Sequence, residues 1–441
     1  MGWRGKILGI VVVAVFGVLA VAPLLIPVGV WIPRIEAEAG RQLGTPVRIA
    51  GLRAALLPLP HVSVQGLDIA GGAIFAGSIA VYPRLASLLS EKRVVRRIEL
   101  DQVVVSRNGA DLLAALAGKK DGTGGAGLEV EHLRARNIQI ELAAGKLPAF
   151  SADITLNGGA AIPVESALAT TMDGKAKVAL VPDGRDWKLT FEANDWQPPL
   201  GPALHFNSLK AGGRLSGAKL VVTDIAGALY GGKVAGKAEL AWQKNWRLSG
   251  DIRTEGIDIM PATQALKVKA ALSGKLDASG PFSAQAAKPA GLVDALTADI
   301  GFDVRNGVLH GFDLASAAQS MLKGGAGGGS TRFDQLTGRV KVLGRAYKLQ
   351  NVQVTSGVLK AQGNVDISAS KQLAGRIDTE VKGTSGLVGV PVAVSGTLDN
   401  PVLMPTKGSM AGAVIGTVLL PGVGTSVGSS VGDKIGKMFG K

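Results

Sequence analysis

Between Thr331 and Asp399 apolar and polar residues alternate along the chain. Leu359, Ala361, Gly363, Val365 and Ile367 are separated by Lys360, Gln362, Asn364, Asp366 and Ser368. Period two marks a strand with one apolar and one wet face. A glycine stands in the middle of the apolar phase, and the form recurs. It appears at Leu336-x-Gly338-x-Val340, Leu373-x-Gly375-x-Ile377, Val394-x-Gly396-x-Leu398, Leu248-x-Gly250-x-Ile252 and Leu272-x-Gly274-x-Leu276. Weaker copies stand at Leu156/Gly158/Ala160 and Val234/Gly236/Ala238. Glycine within a strand marks a bend or a close backbone approach. Repeated on one phase, it predicts a sheet that curves about its apolar face.

The same alternation predicts strands at Asn137–Leu142, Ala152–Leu156, Lys175–Leu180, Trp187–Phe191, Val234–Ala241, Trp246–Ile252, Val268–Leu276 and Leu296–Val304. It sets Leu272, Leu276, Ile300, Phe302 and Val304 on apolar faces and Lys275, Asp299 and Asp303 on wet ones. Short turns such as Pro182-Asp183-Gly184 predict antiparallel neighbours. Helical patterns are short: Pro33–Leu43 before Gly44, Ile259–Leu266 and Gly311–Lys323. No βαβ alternation appears, which argues against a doubly wound sheet. Residues 119–127 (KKDGTGGAG) read as a linker, and 324–330 (GGAGGGS) as a second glycine-rich stretch. Neither ends in the Gly-Lys-Ser/Thr of a phosphate loop.

Composition sharpens this picture. The chain is 46% hydrophobic yet only 4% aromatic, with 62 glycines, so its apolar surface is aliphatic and small. There is no cysteine, which removes disulfides and thiolate metal sites. The net charge of +14 invites nucleic acid. Lys175/Lys177 and Lys267/Lys269, however, lie on polar phases without the aromatic platforms that nucleic-acid binding uses. A solvated face attracted to anionic membrane fits better. His61, His132, His205 and His310 are scattered, with no partner at metal-ligand spacing, and no G-x-S-x-G turn occurs. No catalytic, metal or cofactor site is expected.

Both ends are apolar. Arg4 and Lys6 precede an uncharged run from Ile7 to Pro33, long enough for a membrane-spanning helix with the N-terminus cytoplasmic. Its anchor positions are Ile7, Val13, Phe16 and Leu19, with Trp31 at the far interface. Ala20-Val21-Ala22 offers a signal-peptide cleavage site as the competing reading, although Pro23 follows it directly. In the tail, Gly424, Gly428, Gly432 and Gly436 form a ridge at four-residue spacing within a helical hairpin. That hairpin either caps the sheet or touches a membrane.

At Gly40-Arg41-Gln42-Leu43-Gly44-Thr45-Pro46-Val47-Arg48-Ile49-Ala50-Gly51 the chain begins to resemble the AsmA-like family of bacterial inner-membrane-anchored proteins. Leu59–Ile69, Ile79–Leu89 and Arg97–Arg107 continue the likeness, with Gln102 where proline is usual and Asp111 where asparagine is common. In the second half the likeness is carried by Ala228–Gly236 (Y-G-G), by Phe302–Leu314 (N-G-x-L-x-G-x-D-L), by Thr331–Gly338 and by Val390–Pro401.

The resemblance implies a mainly β protein: an elongated, strongly curved antiparallel sheet forming a β-groove, with an N-terminal transmembrane helix and a few short helices. The implied domains are an anchor at 1–33, the start of the groove at 34–118, the linker at 119–127, a repeated-strand block at 128–405 and the tail at 406–441. The implied groove lining is Ile138, Ile140, Leu248, Ile252, Leu272, Gly274, Leu276, Leu296, Ile300, Phe302, Val304, Leu359, Val365, Ile367, Val394 and Leu398. The implied partners are phospholipid, the inner membrane and, through the C-terminus, the outer membrane or an envelope protein, with no nucleic acid and no cofactor. The implied role is non-enzymatic lipid transfer through the periplasm. A closed sandwich acting as an assembly scaffold for outer-membrane proteins or envelope biogenesis stays open as the alternative.

Overall fold

The computed structural model describes residues 28–57, 59–89, 93–117, 128–142, 145–157, 164–199, 203–265, 272–311, 314, 329–357, 359–383 and 386–406. The protein is mainly β and divides into two compact units, Met1–Ala193 with Pro199–Gly201 and Asn194–Pro198 with Pro202–Lys441. Among the described residues no helix is long and apolar enough to cross a membrane. The anchor positions Ile7, Val13, Phe16 and Leu19, the linker 119–127 and the ridge Gly424, Gly428, Gly432 and Gly436 lie outside the described residues.

The first unit opens with helix α1 (Ile32–Leu43), which carries a proline in its first turn. Gly44, left-handed at φ 68°, ends it by returning its N–H to Gly40 O at 2.9 Å. Four strands follow as an antiparallel meander: β1 (Val47–Ala55), β2 (His61–Ile69), β3 (Ile74–Pro83) and β4 (Arg93–Val105). The chain then leaves the antiparallel pattern. Helix α2 (Arg107–Ala117) carries it back, so that β5 (Leu128–Val130) and β6 (His132–Leu142) pair with β4 in parallel. Parallel neighbours need such a crossover, and this single βαβ step is the one departure from the antiparallel expectation among the described residues. Gly109 permits it: a Cβ there would stand 2.0 Å from Ala73 O. After the short β7 (Gly145–Lys146), antiparallel pairing resumes through β8 (Phe150–Leu156), β9 (Val164–Thr171), β10 (Ala176–Asp183) and β11 (Asp186–Trp196).

The second unit is an antiparallel meander throughout. Its strands are β12 (Phe206–Ser216), β13 (Lys219–Leu229), β14 (Gly232–Ala241), β15 (Trp246–Asp258), β16 (Leu272–Ala286) and β17 (Thr297–His310). They continue as β18 (Ser330–Leu343), β19 (Ala346–Thr355), β20 (Leu359–Ile367), β21 (Leu373–Gly383), β22 (Gly386–Gly396) and β23 (Pro401–Pro405). The short helix α3 (Ile259–Ala265) follows β15 where the helical pattern placed it. Of the pattern at Gly311–Lys323, Gly311 and Leu314 are described; Gly311 lies in a turn and Leu314 is helical.

This ladder curls at its C-terminal end. A Cβ on Gly311, at the end of β17, would lie 3.7 Å from Pro401 Cγ at the start of β23. Six steps of a flat sheet would separate those strands by about 29 Å at roughly 4.8 Å each. Curling lets the apolar face pack on itself: Val304, Leu314, Val392 and Leu403 are 1%, 0%, 0% and 1% exposed. Among the described residues no pairing joins β12 to β23, so the ladder is not closed by hydrogen bonds.

Candidate functional site

Register carries one apolar face across every strand of the second ladder. Ile225 pairs with Gly236, Gly236 with Ile252 and Ile252 with Gly280, while Gly280 lies against Ile300. The row goes on through Val340, Leu349, Val365, Gly375, Val394 and Leu403. Rows on either side are built alike. Because side chains alternate along each strand, the opposite face receives the charges. There Lys237 meets Asp251 at 3.4 Å, Lys219 meets Glu239 at 2.9 Å and Arg305 meets Asp277 at 3.0 Å. Arg339 pairs with Asp299 on the same face. The basic charge is therefore spread over an ion-paired outer surface, where each exposed pair contributes little to stability.

The glycines make room on the apolar face. A Cβ on Gly250 would lie 2.6 Å from Phe282 Cζ, on Gly338 2.8 Å from Phe302 Cζ, and on Gly307 2.3 Å from Phe333 Cζ. Each phenylalanine covers the glycine of the neighbouring strand. Elsewhere the neighbour's backbone fills the space: Asp299 O would stand 2.1 Å from a Cβ on Gly280, and Arg376 O 2.1 Å from one on Gly363. Close approach of that kind accompanies strong coiling about the face.

Filling is uneven along the face. From β17 to β23 a packed core forms around Val304, Leu314, Phe333, Leu336, Leu359, Val392, Val394 and Leu403. From β12 to β16 the inward Leu209, Leu215, Leu220, Ile225, Leu240 and Leu248 are only half-buried, and Ile252 is 38% exposed. The first unit repeats the motif: Ile138 pairs with Phe150, Ala135 with Ala152 and Leu133 with Ile154 on one face. On its other face Arg134 grips Asp153 at 2.8 Å.

Most of the residues expected to line a groove fall on these faces. Leu272, Leu276, Phe302, Val304, Leu359, Val365, Ile367, Val394 and Leu398 converge on the packed core. Leu248, Ile252 and Ile300 continue the face beyond it. Ile138 is buried and Ile140 half-buried, both in the first unit. Leu296 sits in the turn before β17, its carbonyl accepting from Gly344 N at 2.7 Å. Gly274 has φ 130° and lies against Val304. Trp31 is 56% exposed. Lys275 and Asp299 stand on the outer face; Asp303 does too, held at 3.1 Å by both Arg305 and Gln335, with its Oδ1 buried and without a hydrogen bond.

Alternation missed Leu314, Phe333 and Leu403, the residues that fill the curled end. It also missed the positions where strands shift phase. Gly66, Gln102 and Asn137 in the first unit, and Gly256, Asn306 and Asn351 in the second, adopt φ between 50° and 66° inside strands. The Asn and Gly residues were the available signal, since these types tolerate the left-handed region.

His61 Nδ1 lies 2.8 Å from Leu59 O, and His205 lies 2.9 Å from Asp195. Among the described residues no cluster of His, Cys, Asp or Glu could hold a metal ion.

Fold and face together define a class: ladders with one continuous apolar face, one ion-paired face and glycines set where the sheet coils. Residues 200–344 match the family model of the AsmA family, from just before β12 to the end of β18. That match supports an AsmA-like assignment of this segment. Neither the search of curated proteins nor that of solved structures finds a match.

Proposed function

We propose that the protein is a non-enzymatic lipid-transfer conduit, anchored in the inner membrane by residues 1–33, with its bulk in the periplasm. In this reading phospholipid acyl chains lie on the apolar face and move along it between inner and outer membrane. One observation carries the reading: the aliphatic face of β12–β16 continues without a break into a packed core, yet is left half-exposed. An apolar sheet face must be covered, and flexible acyl chains are a cover that can slide. Leu248 and Ile252 are the contact residues, with Ile300 at the border on β17, whereas Val304, Leu359 and Val394, already buried, fill the closed end.

The scaffold alternative relies on exposed strand edges that add a partner's strand. Two described edges are guarded. On β1, the outward N–H of Ile49 is donated to Glu36 Oε1 of α1 at 2.7 Å. On β23, Thr406 N donates to Pro391 O at 3.1 Å, so by register the N–H positions of residues 401, 403 and 405 point away from β22. Two of those three are prolines and have no N–H to offer.

Mass spectrometry of the purified protein tests the proposal. Phospholipid should co-purify, Ile252→Asp should lose most of it, and Arg253→Asp on the outer face should keep it. Lipid-free protein, or an undiminished load in a folded Ile252→Asp variant, would contradict the reading.

A further inference from the structure

At one end of the first unit the chain makes two connections between strands. β1 and β3 run toward it and β2 and β4 start from it, so the β1–β2 and β3–β4 connections lie there together. A short helical turn at Val28–Trp31 packs on β1 and leads into α1. The bond from Ile49 to Glu36 sets α1 antiparallel to β1, which brings that turn beside the C-terminal half of β1. Three separate segments thus meet at one rim, and each carries a bare apolar side chain. Trp31 is 56% exposed, Leu59 50% and Leu85 56%, with Val30 and Leu56 exposed beside them. Arg34, Arg53 and Arg96 are exposed along the same part of the unit, and the Arg34 guanidinium lies 6.0 Å from the Trp31 ring. Val62, on the apolar face of β2 at this end, is itself partly exposed, so rim and face are continuous.

Isolated exposed apolar residues are ordinary, but several on converging loop tips, with arginines and a tryptophan, suit a bilayer interface. Tryptophan prefers the headgroup level, and basic side chains are drawn to anionic lipid within a Debye length. We propose that this rim docks onto the surface of an anionic bilayer through Trp31, Leu59 and Leu85, with Arg34, Arg53 and Arg96 facing lipid headgroups. The occupant is argued from charge complementarity and from the uncharged run Ile7–Pro33, whose last residues form the rim's helical turn. The inference stands apart from cargo: a rim can dock whether or not the face carries lipid.

The chain has no cysteine, so single labels can be placed cleanly. The full chain is reconstituted with vesicles of phosphatidylglycerol and phosphatidylethanolamine that carry a headgroup-level nitroxide quencher. Fluorophores go on Leu59→Cys, Leu85→Cys and, in the β9–β10 turn at the opposite end, the comparably exposed Met172→Cys. Quenching is expected at the first two sites and not at the third. It should weaken severalfold in phosphatidylcholine vesicles and in the Arg34→Glu/Arg53→Glu/Arg96→Glu variant, where the anchor alone holds the chain at the bilayer. Equal quenching at all three sites, or rim quenching indifferent to lipid charge, would overturn the proposal. The lipid-charge comparison needs no arginine substitution and decides the matter even if the triple variant misfolds. Loss of co-purified lipid with rim quenching intact would count against transfer and leave docking standing.

Discussion

Phe302 shows how a single residue shapes the face. Its ring occupies the space that a Cβ on Gly338 would need, and Val352 Cα closes the other side at 3.2 Å. Gly338→Ala should therefore destabilise the second unit by about 1–3 kcal/mol, the usual cost of overpacking, read as a lower urea midpoint. Adding Phe302→Leu should recover part of the loss, because the ring is the closer obstacle. Gly280→Ala should not be rescued by trimming a neighbouring side chain, since the obstacle there is the backbone carbonyl of Asp299. Gly274 belongs to the second kind. With φ 130° and Arg305 O 2.9 Å from a would-be Cβ, a substitution there strains the fold before it says anything about lipid. Ile252, exposed and unobstructed, is the better place to put a charge.

Strands were the most legible elements, and their phase shifts the least. Alternation located the expected strands that fall among the described residues, Val268–Leu276 being described only from Leu272, and the correct faces for Leu276, Ile300 and Lys275, because a half-buried strand must repeat every second residue. It could not see bulges at Asn137 or Asn306, where the backbone turns left-handed and the inward phase shifts by one. Nor did it foresee the parallel pairing of β4 with β6, which depends on where α2 delivers the chain and not on any periodicity. The packed end was half legible: Val304 and Val394 stood out as alternators, whereas Leu314 lay in a helical pattern and gave no sign that it would fill the curl. Helix α1 was marked by its proline and by Gly44, but its service to the sheet edge was not. Glu36→Ala should remove the acceptor for the Ile49 N–H. A hydrogen bond to a charged group is worth roughly 1.5–3 kcal/mol, so amide exchange at Ile49 should speed up by at least tenfold. Unchanged protection at Ile49 would show that the carboxylate does not guard this edge.

At the scale of the whole molecule, each unit commits one side of its strands to aliphatic residues and the other to paired charges. Very little of that apolar side uses aromatic bulk: 4% of the chain is Phe, Tyr or Trp, and Phe282, Phe302 and Phe333 of the second ladder lie over glycines. A face so built covers itself only where the sheet curls tightly enough, from β17 to β23. Along β12–β16 it is left for something else to cover, and the account assigns that place to acyl chains. Photo-crosslinking in cells is the most direct test. Crosslinkers at Ile252 and Ile300 face the open stretch of the apolar side and its border on β17, and those at Arg253 and Asp299 face outward one residue away on the same strands. The account predicts phospholipid adducts at Ile252 and Ile300 and none at Arg253 and Asp299. Equal labelling of both pairs, or protein adducts alone at Ile252 and Ile300, would contradict it.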